Sequence, residues 1–190
     1  MEQRTPNIPS EEKMDRRVRR TRKLLQEGLL ELMKQKPLQS ISMRELCRAV
    51  DVCRTTPYLH YRDVLDILEQ IEAARLAELE NLLLSYPPQA LPQAKAALLQ
   101  AIFTTVKNNA LFYNVILNYE GDPAFLDRMQ ALGEEYIRQY MALTAPGQPA
   151  NSYTVPFLLG AFFALLRQYV SHGCPESPAE MAAMTPPMQI

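Results

Sequence analysis

Apolar residues recur along this chain at helical rather than strand spacing, and proline and glycine punctuate them into about nine segments. Val18, Leu24, Leu25, Leu29, Leu32 and Met33 fit one helical face and predict a first helix from about Lys13 to Lys36. Pro37 disfavours the α conformation at Lys36 and stops it. Ser42 followed by Glu45 is a capping-box signature that starts a second helix at Met43, with Leu46 and Val50 as its inner stripe and an end near Asp51. A third short segment is expected from about Arg54 to Tyr61. Asp63 then caps a long helix reaching Ser85, where Tyr86-Pro87-Pro88 ends it; Leu65, Leu68, Ile71, Leu76, Leu79, Leu82 and Leu83 face inward. Further helices are expected over 92–107 and 110–118. Gly121-Asp122-Pro123 reads as a stop, a cap and a first-turn proline opening a helix to about Thr144. A Pro/Gly loop over 145–151 precedes a helix over 152–172 that Gly173 terminates. Ser177-Pro178-Ala179-Glu180 is a second capping box, opening a short last helix. With no β alternation and no internal repeat, the expected fold class is all-α.

Composition narrows the partners. The chain has 190 residues, 47% of them apolar, enough for a substantial core. A net charge of −1 conceals an asymmetry. Residues 1–62 carry 14 Lys/Arg against 8 Asp/Glu, and residues 63–190 carry 6 against 13. A basic front end suits a polyanion, and an acidic body avoids one. Cys47, Cys53 and Cys174 are odd in number and lack metal-ligand spacing, as in a reducing cytoplasm, so neither metal nor cofactor is expected. The opening MEQRTPNIPSEEK has no apolar stretch of the signal-peptide kind, and the run Val155–Leu166 is short for a bilayer, so the expected location is cytoplasmic. Neither His60 nor His172 has a nucleophile or acid beside it in a recognisable arrangement, so no catalytic residue and no enzyme activity are expected.

The chemistry concentrates near the amino end. Arg16, Arg17, Arg19, Arg20, Arg22 and Lys23 fall in one short stretch opposed only by Asp15. Most such runs are merely solvated helix faces. This one precedes two short helical segments joined by a tight polar turn, a build that sets a second helix into the major groove while nearby cations neutralise phosphates. Residues 16–72, through RTRKLLQEGLLELM, ISMRELCRA and the run Arg54-Thr-Thr-Pro-Tyr-Leu-His-Tyr61 followed by Asp63 and Leu65, resemble the N-terminal domain of TetR-family transcriptional regulators. Two later segments, from Asn118 to Phe125 and from His172 to Glu180, resemble stretches of a ligand domain common in that family.

The resemblance implies a three-helix helix-turn-helix domain over 13–76 after a flexible tail over 1–12, and a helical effector and dimerisation domain over 77–190. It makes Arg54, Thr55, Thr56 and Tyr58 the groove-facing group; within it Tyr58, like His60 beside it, is expected to hold a phosphate rather than read a base, with Arg17, Arg20 and Arg44 as further backbone contacts. Tyr61 reads as packing between helices. Three positions depart from the family pattern. Asp51 stands for a turn glycine, and aspartate tolerates a left-handed backbone better than most. Pro57 replaces an aromatic and implies a recognition helix that starts late, capped by Thr55 or Thr56. Val64 replaces a phosphate-binding lysine.

In the C-terminal half, aromatic residues at helical spacing are mostly core. Phe103, Phe112, Tyr113, Tyr136, Tyr140 and Phe162 are the candidates for lining an effector pocket, with Arg138, Arg167 or Gln168 as polar contacts. The helix over 152–172 is apolar nearly all round and must be covered on more than one side. Leu158, Phe162, Leu165, Leu166 and Tyr169 are the candidates for a homodimer interface, completed by the last short helix. The expectation is a one-component regulator, a repressor, gripping a palindromic double-stranded DNA operator as a homodimer. Its affinity would be modulated by a small-molecule or protein effector, with no membrane partner. The alternative is a partner or co-activator of the same fold that has lost autonomous DNA binding, supported by Pro57 and Val64.

Overall fold

The computed structural model describes residues 11–119, 121–144 and 153–185, with side chains from Arg16 onward. The loop expected over 145–151 and nearly all of the expected tail lie outside them. By packing, the chain divides into Met1–Glu69 and Gln70–Ile190. Among the described residues there are eight α-helices and no strand, so the fold is all-α.

The first unit holds α1 (Glu11–Met33), α2 (Met43–Ala49) and the start of α3 (Val64–Ser85), with 3₁₀ turns at Leu38–Ser40 and Pro57–Leu59. Leu25, Leu29, Leu30 and Met33 form the buried stripe of α1. Leu24, expected inside, is 38% exposed because it lies one position off that stripe. Leu65 is 49% exposed for the same reason, while its neighbours Ile67 and Leu68 take the inner face of α3.

Capping divides labour in an unexpected way. The Ser42 hydroxyl accepts from the Glu45 amide at 3.2 Å, as a cap should. The Glu45 carboxylate does not reach back. It takes the Lys36 ammonium instead, at 2.7 and 2.6 Å, and that hydrogen bond holds its carboxyl below the usual range. Asp63 caps α3, accepting from the Asp66 amide at 2.9 Å, and Asp66 in turn accepts from the Arg62 amide at 2.8 Å.

Helices α1 and α2 meet at Gly28. A Cβ there would run into Val50 Cγ1 and come within 3.3 Å of Leu46 Cδ1, so only glycine allows this approach. Tyr61 is buried on the same unit. Its hydroxyl accepts from Gln26 Nε2 at 3.4 Å, and the Arg22 guanidinium lies 5.7 Å from its ring centre, within cation–π range.

The second unit holds the rest of α3 together with α4 (Leu91–Asn108), α5 (Ala110–Asn118), α6 (Pro123–Thr144), α7 (Thr154–Ser171) and α8 (Pro178–Met184). Helix α4 packs along α8, and α7 packs on α5 and α6. The centre is aromatic. Phe103, fully buried, stands edge-on to Tyr169 at 5.6 Å and tilted against Phe162 at 5.9 Å; Phe112 stands edge-on to Phe125 at 5.5 Å. The chain leaves α7 through two left-handed residues, Gly173 (φ +77°) and Cys174 (φ +54°), whose amides donate to the Val170 and Tyr169 carbonyls. The Glu176 carbonyl then accepts from both Lys107 Nζ and the Tyr169 hydroxyl, each at 2.9 Å, and the Ser177–Glu180 box opens α8 with both reciprocal bonds present.

Alanine in a helix interior ordinarily stabilises by about 1 kcal/mol over glycine. At Gly28 the overpacking term, about 1–3 kcal/mol, opposes it. Gly28→Ala is therefore expected to lower the unfolding free energy in a urea titration. In a Val50→Ala background, where the clash with Cγ1 is gone and only the flexible Leu46 Cδ1 end must give by a few tenths of an ångström, the same change is expected to raise it.

Candidate nucleic-acid interface and the cavity of the C-terminal unit

The cations of α1 lie outward: Arg16, Arg17, Arg19, Arg20, Arg22 and Lys23 are all exposed. On α2, Arg44 and Arg48 are exposed four residues apart, hence on one helix face. Arg48 was not singled out from the sequence, although its spacing from Arg44 is a readable signal.

Between α2 and α3 the backbone folds through a series of short turns. Asp51 takes φ +53°, the left-handed conformation that its position in the turn demands. The Thr56 amide donates to the Cys53 carbonyl, Leu59 to Thr56, and both His60 and Tyr61 to Pro57. The expected helix over 54–61 is thus a single 3₁₀ turn, Pro57–Leu59, with Thr56 before it and Pro57 in its first position. Proline offers no amide to bond back to the Cys53 carbonyl, which keeps an α-helix from starting at Arg54 and running through Pro57; the residues after a first-position proline stay free to be helical, as in α6 and α8. Thr56 nevertheless has helical dihedrals (φ −63°, ψ −44°) and makes no side-chain cap.

Pro57 is buried, while Arg54, Thr55, Tyr58 and Leu59 are exposed and Thr56 and His60 half-buried. Sequence reasoning passed over Leu59. His60 packs edge-on against Tyr61, with ring centres 6.4 Å apart. Val64 opens α3, half-buried.

The second unit encloses a cavity of about 590 Å³. Its walls come mainly from α3, α4, α6 and α7, with Tyr113 from α5, and are almost wholly aliphatic and aromatic, with Leu79, Leu98, Ile102, Ile137, Leu158 and Phe162 among them. Lys95 is the one charged residue among those lining it, and Tyr113 and Tyr136 are its tyrosines. The Tyr136 hydroxyl donates to the Tyr86 carbonyl at 2.6 Å.

Of the pocket candidates, Tyr113, Tyr136 and Phe162 line the cavity. Phe103 and Phe112 do not reach it, because their faces are taken up by the aromatic core, and Tyr140 is half-buried elsewhere on α6. Arg138 points outward to Glu134 at 2.9 Å, and Arg167 and Gln168 are exposed, so none of the three supplies a polar contact. Of the dimer candidates, Leu158, Phe162 and Leu165 are half-buried cavity residues. Leu166 and Tyr169 are 3% exposed and packed in this chain's own core, with no area left for a partner. By length and composition α7 could cross a bilayer; Val155, Leu159, Leu166, Tyr169 and Val170 are buried within the unit, and the rest of the helix is half-buried or exposed.

Beside the cavity, Arg75 Nη1 meets Glu78 Oε2 at 2.7 Å and donates to Asn109 Oδ1, tying α3 to the junction of α4 and α5. Burial pushes the Tyr113 phenol up to about 12, with Glu78 adding to the rise and Arg75 opposing it.

An all-helical chain with a basic turn-bearing unit and a separate unit around an apolar cavity has the build of a transcriptional regulator. Residues 96–188 match a TetR-type family described as "Transcriptional regulator C-terminal region". The uncharacterized HTH-type transcriptional regulator YxbF of Bacillus subtilis (strain 168) is 24% identical over 165 residues, covering 85% of this chain and 43% of that protein. The chain thus spans less than half the length of this curated relative. Among solved structures, the fatty acid degradation regulator FadR from Bacillus halodurans superposes with a TM-score of 0.60 at 9% identity, over 85% of this chain and 90% of that one. The dihydroxyacetone kinase operon activator DhaS gives 0.54 at 17%, over 87% and 91%. The two structures share the fold. Over residues 96–188 the chain is thus similar to the C-terminal region of TetR-type transcriptional regulators.

Because the folded pKa of Tyr113 lies above the ordinary phenol value of 10, its contribution to stability is complete below pH 10 and is lost as pH climbs toward 12. An ultraviolet titration of the folded chain should show a late-titrating phenol that Tyr113→Phe removes. The variant should also lose less stability over that pH interval.

Proposed function

We propose that the chain is a homodimeric, one-component repressor. Residues 16–62 bind a palindromic operator, and an effector in the C-terminal unit modulates the affinity. The observation that carries the DNA-binding half is the exposed set Arg54, Thr55, Tyr58 and Leu59 between α2 and α3, on the same unit that exposes the arginines of α1 and α2. In this reading Arg54 and Thr55, both exposed, take base edges. Thr56, half-buried, has less to offer, while Tyr58, His60, Arg17, Arg20, Arg44 and Arg48 take phosphates. A two-fold dimer would present two such turns to successive major grooves, roughly 34–36 Å apart. For the dimer contact, the exposed side of α7 around Phe157, Gly160, Ala161 and Ala164 replaces Leu166 and Tyr169.

The cavity supports an effector that is largely apolar, since a polar ligand would leave its hydrogen-bonding groups unmatched against these walls. Helix α3, which begins in the first unit and continues into the second, would carry the response. An effector that binds better to one arrangement of the dimer shifts operator affinity by the ratio of its two affinities.

One observation favours a second reading. The reading segment is a three-residue 3₁₀ turn rather than a helix, and a chain that keeps this fold as a partner or co-activator without gripping DNA alone would tolerate that. Selection of duplexes from a random pool, followed by gel shifts across salt concentrations, separates the two. The repressor reading expects binding whose logarithm falls linearly with log salt, with a slope of about −0.9 per phosphate neutralised. Val64→Lys should steepen that slope by about 0.9 and tighten binding at low salt, as one added phosphate contact would. A chain that selects no duplex in dilute buffer is the partner, not the repressor.

For the effector, small apolar compounds should raise the melting temperature, by the equivalent of about 2.7 kcal/mol at a hundredfold excess over Kd. Ile102→Trp, which narrows the cavity from its α4 wall, should weaken that stabilisation while leaving duplex binding unchanged.

A further inference from the structure

Leu59 is 76% exposed, among the most exposed large apolar side chains of the described residues. A single surface leucine is ordinary and needs no explanation. What sets this one apart is its place. A 3₁₀ turn has three residues per revolution, so the side chains of Pro57, Tyr58 and Leu59 leave the axis about 120° apart. Pro57 is buried, which drives the other two outward, and Tyr58 is 61% exposed beside Leu59. The turn therefore holds Leu59 out on purpose-built geometry, in the same exposed segment as Arg54 and Thr55 and on the unit that exposes Arg44 and Arg48. The Tyr58 hydroxyl suits a phosphate oxygen; a leucine has nothing to offer one. Phosphates and most base-edge groups in a major groove are polar, and the thymine C5-methyl is the apolar exception.

We propose that Leu59 reads a thymine in each half-site of the operator, by packing on its C5-methyl group. This rests on the DNA-binding reading above and adds to it a base and the atom group recognised. Thr55 methyl contact and Arg54 hydrogen bonding would read the flanking positions, so Leu59 acts as a specificity-determining residue rather than a source of general affinity.

The test uses duplexes that the whole chain itself selects from a random pool. Each thymine is replaced in turn, symmetrically in both half-sites, by deoxyuridine, which differs only by the missing methyl. Burying one methyl is worth about fourfold in binding, so losing both should weaken the wild type about fifteenfold at one thymine pair. In Leu59→Ala that uracil penalty should vanish, while penalties at other positions persist. Leu59 is exposed, so the variant should fold, and an unchanged thermal melt checks this.

A selected site with no thymine in its half-sites overturns the proposal, as does a site where no uracil is penalised. A uracil penalty that is the same in Leu59→Ala overturns it too, as does a Leu59→Ala chain that selects the same sequences with the same affinities. The last result would fit a protein partner for Leu59 instead. Failure of the wild type to select any duplex sinks the DNA-binding reading itself, and is distinct from binding that ignores the methyl.

Discussion

The close crossing of α1 over α2 at Gly28 governs the first unit. Removing one Cβ lets Val50 and Leu46 lie directly against α1, and around that crossing Leu25, Leu29, Met33, Ile41, Met43 and Leu46 are all buried. The rest follows in order. Gln26 and Arg22 on α1 hold Tyr61, and with Tyr61 fixed, the segment before it must be short. Asp51 reverses the chain with a left-handed residue, Pro57 goes down into the unit, and the two residues after Pro57 are forced out. What the unit shows to solvent at Tyr58 and Leu59 is thus set by the burial of Pro57 just before them.

The second unit is organised by a contrast between aromatic and aliphatic packing. Rings of Phe103, Phe112, Phe125 and Tyr169 fill its centre with edge-on contacts that leave little free volume. The aliphatic faces of α3, α4, α6 and α7 meet less completely, and the cavity is what remains between them. Outside the cavity lining, polar contacts tie the unit where helices change direction. Arg75 reaches the α4–α5 junction at Asn109, and Glu176 gathers Lys107 and Tyr169 on one carbonyl just before α8.

Much of this was legible in the sequence, and the failures have physical causes. Ser42, Asp63, Asp122 and Ser177 mark helix starts within a residue or two, because caps and first-turn prolines act locally. Pro37, Pro87 and Gly173 mark stops for equally local reasons. Which of two adjacent leucines turns inward is not local: Leu24 and Leu65 fit the apolar spacing as well as Leu25 and Ile67, and only neighbouring helices choose between them. The collapse of the segment after α2 to a 3₁₀ turn was foreshadowed by Pro57, although its brevity was not, and Leu59 drew no attention because a leucine near a helix pattern reads as core. The cavity had the weakest signal. Its volume depends on how four helices fail to interlock, and three of six expected aromatics line it while Lys95 went unnoticed.

One substitution in the turn reaches beyond shape. Glycine would serve the left-handed corner at residue 51 with no charge, whereas aspartate fits the same corner and adds a fixed negative one beside a surface of arginines. Against a polyanion, such a charge taxes every encounter equally, wherever along the polymer it occurs. In the proposed repressor that charge would lower affinity for every duplex alike, so it would set how long the chain stays on DNA and leave the choice of sequence to the contacts around it.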